Sequence, residues 1–336
     1  MLRRRSLLAA TGALSCLARP SVAPAQAAHA IRIGRIQGVN FLPTHVMQKR
    51  GLVERHAARL GLQGARAEWI DFPGGGNATD AMLAGNIDVV NAGPGNLLLL
   101  WDRTKGGVKG IVSNSSLPTK LISRDDRLRR LTDYGASDRI ALPTVLVSTQ
   151  AILLQIAAEK LYGPENWRHF NAGTVQMGHA DGYVAMRNPL HEVRSHFTSP
   201  PYIDRELKDV PGAHVVTTSA EILGSDLSTA INYATTRYVA REPVMVQALI
   251  DASAEAVAAI KADPAAAARD YLELSRDRLE EAELIDLLRQ PDMVFETRPV
   301  GTKTFADFLA RIGTLRTRPE RWTDYFVDQA ASLAGS

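Results

Sequence analysis

Cysteine is almost missing from the chain: Cys16 is the only one in 336 residues. It lies within the first 27 residues, which read as a removable segment, so the remainder carries no disulfide and no thiol chemistry. Long apolar runs are missing too. Beyond residue 27 none approaches about 18 residues free of charge, and no membrane span is predicted. Gly-x-Ser-x-Gly, His-Glu-x-x-His and phosphate-loop Gly-Lys-Ser/Thr do not occur, which removes common hydrolase, zinc-protease and nucleotide signatures. A charge excess is absent as well. The first 27 residues hold four arginines and no acid, so without them Lys+Arg falls from 39 to 35 against 36 Asp+Glu. The whole-chain pI near 9.0 therefore gives no reason to expect nucleic acid as a partner.

What is present begins with an export signal. Arg3, Arg4 and Arg5 form its charged region, Ser6 to Ala18 is apolar but too short to span a bilayer, and Pro24-Ala-Gln-Ala27 offers a small-residue cleavage site. Arg4-Arg5-Ser6-Leu7-Leu8 resembles a twin-arginine signal, with Arg3 where Ser or Thr is usual. Sec and twin-arginine export both stay open. Lipid attachment at Cys16 is disfavoured by Ala13, and cleavage after Ala27 is expected. A periplasmic location follows. The remaining chain, 45% apolar over its full length, suffices for one large or two medium domains.

From residue 31 strands and helices alternate. Strand Ile31–Ile36, loop Gly38–Pro43 and helix Thr44–Leu60 are followed by strand Ala67–Phe72, loop Pro73–Asn77 and helix Ala78–Ala84. This order predicts parallel sheets covered on both faces. Asp80 to Asn96 is the most informative stretch. A helix end, a Gly85 stop, the β-branched Ile87, Val89 and Val90, and the turn Asn91-Ala-Gly-Pro-Gly-Asn96 together describe a strand whose carboxyl end opens on a crevice. Strands at Lys109–Ser113 and Leu121–Ser123 follow, and Asp125–Arg130 reads as a solvated charge run. The pattern then restarts: strand Arg139–Leu142, loop Pro143–Thr144, helix Ser148–Tyr162 with Gly163 as its stop. Asp181–Arg187, Glu192–Phe197 and Thr198–Pro201 echo the earlier stretch, which implies two lobes facing a shared cleft. Asn232–Thr236 reads as a strand returning to the first lobe. The rest is mainly helical, with Asp263-Pro264 as a helix start, short helices at Leu279–Leu288 and Phe305–Ile312, and Ala252–Ala268 as a packed surface helix pair.

Lys49–Glu54, Asp80–Pro94, Val145–Gln155, Glu192–Pro201 and Tyr233–Thr236 together resemble the periplasmic solute-binding proteins of ABC importers. The nearest type is the nitrate/sulfonate/taurine group, which includes thiamine-pyrimidine-precursor proteins. The resemblance runs from about residue 31 to the end. It implies an α/β, two-lobed periplasmic-binding-protein-like fold (type II), each lobe a mainly parallel sheet flanked by helices, with two hinge crossings near Leu117–Ser123 and Ser225–Asn232. Residues 28–123 with 228–336 would form lobe 1 and 124–227 lobe 2. The implied partners are a small anionic or zwitterionic ligand, an inner-membrane ABC permease and its ATPase; a monomer is expected, with no cofactor.

Helix N-termini favour anions because unpaired amides and the positive dipole end point outward. Three junctions have that chemistry: Gly74–Asn77, with Gly75, Gly76 and Asn77 nearest a ligand; Gly95-Asn96; and Ser148-Thr149-Gln150. Thr198 and Ser199 would donate from the echo strand, and Asn40 and Phe41 would supply an amide and a ring. Arg194 and His196 alternate on that strand and face either an anionic head group or their neighbours. His179, Asp181, His191 and His196 fit no zinc spacing. The expected function is capture of a sulfonate, taurine, nitrate or organic carboxylate for import, without catalysis. Two rivals remain: an enzyme on the same fold, related to thiamine-pyrimidine synthases, and a periplasmic partner of a membrane sensor.

Overall fold

The computed structural model describes residues 29–36, 38–72, 74–146, 148–275 and 278–336. The expected signal peptide, with Cys16 and the cleavage site, lies outside the described residues. Ten strands occur among them: β1 (Ala30–Ile36), β2 (Arg66–Phe72), β3 (Val89–Ala92), β4 (Val108–Ser115), β5 (Lys120–Ser123), β6 (Ile140–Leu142), β7 (Thr174–Gln176), β8 (Ser195–Thr198), β9 (His214–Thr218) and β10 (Ala230–Thr235). They form two five-stranded sheets, ordered β2-β1-β3-β10-β4 and β7-β6-β8-β5-β9.

The two sheets share one plan. In the first, β1 runs parallel to β2 and β3, while β10 is antiparallel to β3 and β4. In the second, β6 runs parallel to β7 and β8, while β5 is antiparallel to β8 and β9. Each sheet is thus mainly parallel with one reversed strand, and in each case that strand has just arrived from the other sheet. This is the two-lobed periplasmic binding protein fold. The echo is real in three dimensions, because β3 and β8 hold the same position in their sheets. The strand Lys120–Ser123, expected within 28–123 of the first lobe, is hydrogen-bonded in the second sheet. Its neighbours β8 and β9 claim it because its pairing partners lie only there.

Seven helices position the site: α1 (Leu42–Lys49), α2 (Leu52–Arg59), α3 (Gly75–Leu83), α4 (Pro94–Arg103), α5 (Thr149–Tyr162), α6 (His179–Arg187) and α7 (Tyr202–Asp209). The single helix expected over Thr44–Leu60 is two. Gly51, at φ 57°, takes the left-handed conformation that ends α1 and lets α2 start in a new direction. The expected loop Gly38–Pro43 tightens into a 3-10 turn, Val39–Phe41, and α1 already begins at Leu42 with Pro43 in its first turn. The glycine loop is likewise shorter, since Gly75, Gly76 and Asn77 are the first turn of α3. Pro94 opens α4, and the Ser148 hydroxyl accepts the Ala151 N–H at 3.3 Å to cap α5.

Burial follows the layer logic. All four residues of β3 are buried, and fully burying a side chain such as Val89 or Val90 contributes roughly 1.5–3 kcal/mol. The alanine-rich stretch is the expected packed pair of helices, Pro243–Ala262 and Pro264–Leu274, with Ala254 and Ala258 exposed on one face and other alanines buried on the opposite one. Ala252, Ala256, Ala267 and Ala268 are fully buried, because small side chains let helix Pro243–Ala262 approach α1, α2 and β4 closely. That helix is long and apolar enough to cross a membrane by length and composition, but Asp251, Glu255 and Lys261 punctuate it and ten of its residues pack inward. Asp125 also departs from the solvated reading. It is buried and accepts from Arg127 and Arg194, whose guanidinium groups hold its carboxyl at about 2. The crossings lie side by side: Thr229 N–H donates to Ser115 O at 2.8 Å, and Leu117 N–H to Thr229 Oγ1 at 3.1 Å.

Candidate functional site

The carboxyl ends of β1, β3, β6 and β8 face one cleft of about 390 Å³ between the sheets. Crevices at such strand ends are where open α/β sheets hold ligands. One wall comes from the first sheet's side. It is made by Ile36, Asn40 and Phe41 after β1, Gly75 and Gly76 in the first turn of α3, Ala92 and Gly93 at the end of β3, and Asn96 and Leu99 on α4. The opposite wall is made by Pro143 and Thr144 after β6, Ser148, Thr149 and Gln150 at the start of α5, His179 at the start of α6, and Ser199 after β8. Thr119 and Thr229, from the two crossings, close the back.

Nine of the twelve residues expected at a site therefore meet there: Asn40, Phe41, Gly75, Gly76, Asn96, Ser148, Thr149, Gln150 and Ser199. Three do not. Asn77 is exposed, two residues beyond Gly75 on a helix, a step that turns its side chain to the far side. Gly95 is buried inside the first turn of α4. Thr198 is fully buried behind the wall, since strand alternation sends it away from the side Ser199 faces. Arg194 and His196 do not line the cleft either. Arg194 pairs with Asp125 at 3.1 Å, and His196 is fully buried.

The sequence reading overlooked His179 as a cleft residue. A signal was available: His179 is the first residue of α6, the position Gly75 holds on α3, so aligning the two repeats places it at the cleft. Thr119 and Thr229 carried no such signal, because only the crossing geometry brings them together.

Electrostatically the cleft is unusual in one respect. Among the described residues no Asp, Glu, Lys or Arg lines it. Its polar character comes instead from the first turns of α3, α4, α5 and α6, which all open toward it, each helix being at least nine residues long. Hydroxyls and amides supplement them. Gln150 Nε2 donates to Ser199 Oγ at 3.2 Å, which fixes both side chains. Asn40 Oδ1 and Thr119 Oγ1 are buried and make no hydrogen bond among the described residues. Behind the wall, His179 Nδ1 lies 3.2 Å from His196 Nε2 and 3.3 Å from Thr198 Oγ1, and His196 Nδ1 lies 2.5 Å from Glu206 Oε1. Burial holds His179 and His196 down at about 3, with His196 adding to the effect on His179, and holds Glu206 up at about 9. Among the described residues no three metal-ligating side chains are grouped to hold an ion.

No protein-family model and no curated protein sequence matches the chain. Solved structures do. The periplasmic aliphatic sulphonate binding protein SsuA from Escherichia coli superposes with TM-score 0.70 at 14% identity, over 89% of this chain and 92% of that one. The alkanesulfonate-binding protein SsuA from Xanthomonas axonopodis pv. citri, bound to MOPS, gives TM-score 0.66 at 19% identity over 91% and 99%. The Candida albicans CA3427 gene product, which exhibits the generic periplasmic binding protein structural fold, gives 0.60 at 12% over 89% and 96%. At such identities the likeness establishes the fold of this chain.

Proposed function

We propose that the chain is an extracytoplasmic solute-binding receptor that captures a small anion in the interlobe cleft and delivers it to an ABC permease and ATPase. The observation that carries this reading is the convergence of four helix N-termini on a cleft that no charged side chain lines among the described residues. An anion there is met by amides and hydroxyls that are already oriented and compensate its lost hydration. A cation would face four positive dipole ends with no carboxylate to receive it. The likeness to sulfonate-binding proteins favours a sulfonate over nitrate, taurine or an organic carboxylate, and a cleft of about 390 Å³ suits a single small molecule. Lobes of 28–123 with 228–336 and of 124–227, adjusted for β5, would close on the ligand about the paired crossings. Periplasmic location and a monomeric state complete the proposal.

Thermal unfolding with a panel of ethanesulfonate, taurine, nitrate, benzoate and ethylammonium tests it. A ligand of the native state at 100 times its Kd adds about 2.7 kcal/mol of stability. Ethanesulfonate is expected to raise Tm by several degrees and ethylammonium to leave it unchanged. Stabilisation by the cation alone, or by no member of the panel, would sink the reading.

A further inference from the structure

Three titratable side chains lie in line behind the second wall, and simple anion capture requires none of them. Glu206 on α7 and His196 on β8 are fully buried, and His179 on α6 lines the cleft. Their contacts run from core to cleft: Glu206 Oε1 to His196 Nδ1 at 2.5 Å, then His196 Nε2 to His179 Nδ1 at 3.2 Å. Gly182, inside α6, makes room for the line. A Cβ there would stand 2.6 Å from the His196 ring, so the helix approaches the imidazole only because this residue has no side chain.

With both imidazoles neutral, two proton arrangements fit these distances. With Glu206 ionised, it accepts from His196 Nδ1–H; His196 Nε2 then accepts from His179 Nδ1–H, and His179 Nε2 is left as a lone pair. With Glu206 protonated, every bond reverses: Glu206 donates to Nδ1 of His196, His196 donates from Nε2 to Nδ1 of His179, and His179 Nε2 carries a hydrogen. The surroundings of Glu206 choose between them. Among the described residues its second oxygen, Oε2, is buried without a partner, and no cation acts on it. A carboxylate so placed is among the costliest groups to bury, whereas a neutral acid is tolerated. Around the line, Asp204 on α7 accepts from Gln290 Nε2 at 2.8 Å. Tyr183 donates to Asp209, Arg205 pairs with Glu283, and Tyr202 stacks on His179 at 6.1 Å between ring centroids. Thr198 from β8 adds only a hydroxyl at His179 Nδ1.

We propose that Glu206, His196 and His179 form a proton-ordered relay in which a buried carboxylic acid fixes both imidazole tautomers, so that His179 presents Nε2–H to the ligand. Glu206 and His196 are positioning residues; His179 is the group that touches ligand. The consequence is selectivity, and it rests on the anion-receptor reading above. A neutral N–H donor on a wall of amide donors suits a fully ionised oxyanion, which accepts at every oxygen. A head group that keeps its own proton, such as bicarbonate, sets donor against donor.

Long-range 1H–15N spectra of the protein labelled with [15N]histidine test the relay directly. Both His179 and His196 are expected as neutral Nε2–H tautomers at pH 7. An Nδ1–H tautomer or an imidazolium at either position overturns the proposal. Calorimetry with ethanesulfonate supplies the second readout. His179→Phe and Glu206→Leu are each expected to weaken binding about tenfold, the scale of one lost hydrogen bond to a charged group. Glu206→Gln should bind within about twofold of the unaltered protein, because an amide N–H can donate where the acid did. Unchanged binding by His179→Phe also overturns the proposal. Wrong tautomers with ethanesulfonate still bound sink the relay alone. Correct tautomers with no oxyanion bound sink the receptor reading, and with it the oxyanion assigned to His179.

Discussion

The two walls of the cleft occupy equivalent places in equivalent sheets, yet they are made differently. The first-sheet wall is largely backbone: Gly75, Gly76 and Gly93 bring amides to the surface, and Asn96 adds a side-chain amide. The opposite wall is largely side chain, with Ser148, Thr149, Gln150, His179 and Ser199 facing inward. A backbone wall has no titratable group and is sensitive chiefly to steric intrusion. A side-chain wall can be retuned residue by residue, and through His179 it is wired to a buried acid. Shape is thus set on one side and chemical selectivity on the other.

Substitutions can break that division, and the largest effect is expected on the glycine wall. A Cβ at Gly76 meets nothing within 4 Å, so Gly76→Leu would extend into cleft space without disturbing its own neighbours. Ethanesulfonate affinity should fall by at least ~100-fold with no loss in Tm, since Leu is the better helix former by roughly 1 kcal/mol. Calorimetry alongside thermal unfolding reads both. Retained affinity would mean that the glycines do not contact ligand.

On the other wall, Ser148→Ala removes a helix cap as well as a cleft hydroxyl. Chemical denaturation should show a loss of ~1 kcal/mol, the usual cost of a missing cap. If affinity falls but stability does not, the hydroxyl serves the ligand alone.

The pH dependence sharpens the contrast further. Glu206 is held at about 9 in the folded protein against 4.5 unfolded, so the native state binds more protons between those values and stability falls as pH rises through that window. His179 and His196, at about 3 against 6.5, act oppositely: the unfolded chain takes up protons first, and stability falls as pH drops from 6.5 toward 3. Glu206→Gln should therefore flatten the decline in Tm between pH 7 and pH 9. An identical decline in the variant would show that the acid is ionised in the native state. The smallest effect belongs to Arg194→Ala. That guanidinium is half exposed on Asp125 and away from the cleft, so ethanesulfonate affinity should change less than twofold.

The architecture was legible because it repeats. Asp80–Asn96 and Asp181–Pro201 carry the same helix–strand–turn signals, and each strand occupies the third place in its sheet. Much of the candidate cleft was legible for the same reason, since residues after parallel strands must meet at the sheet's carboxyl edge. Finer features were not. Spacing cannot show that Gly75 is already helical, which is what aims Asn77 outward. Nor can it show that Ala252 and Ala256 pack inward, because alanine suits either face of a helix. The burial of Asp125 among arginines, and of Glu206 without one, depends on contacts between segments far apart in the chain.

Strand β10 has one more implication, and it concerns time. It lies between β3 and β4, yet the chain reaches it only at Ala230–Thr235, after the whole second sheet. In any process that delivers the chain from its N-terminus onward, β3 and β4 wait with open edges while a hundred and more residues pass. The second sheet, whose strands all lie between Lys120 and Thr218, can assemble during that interval. The lobe begun first is completed last.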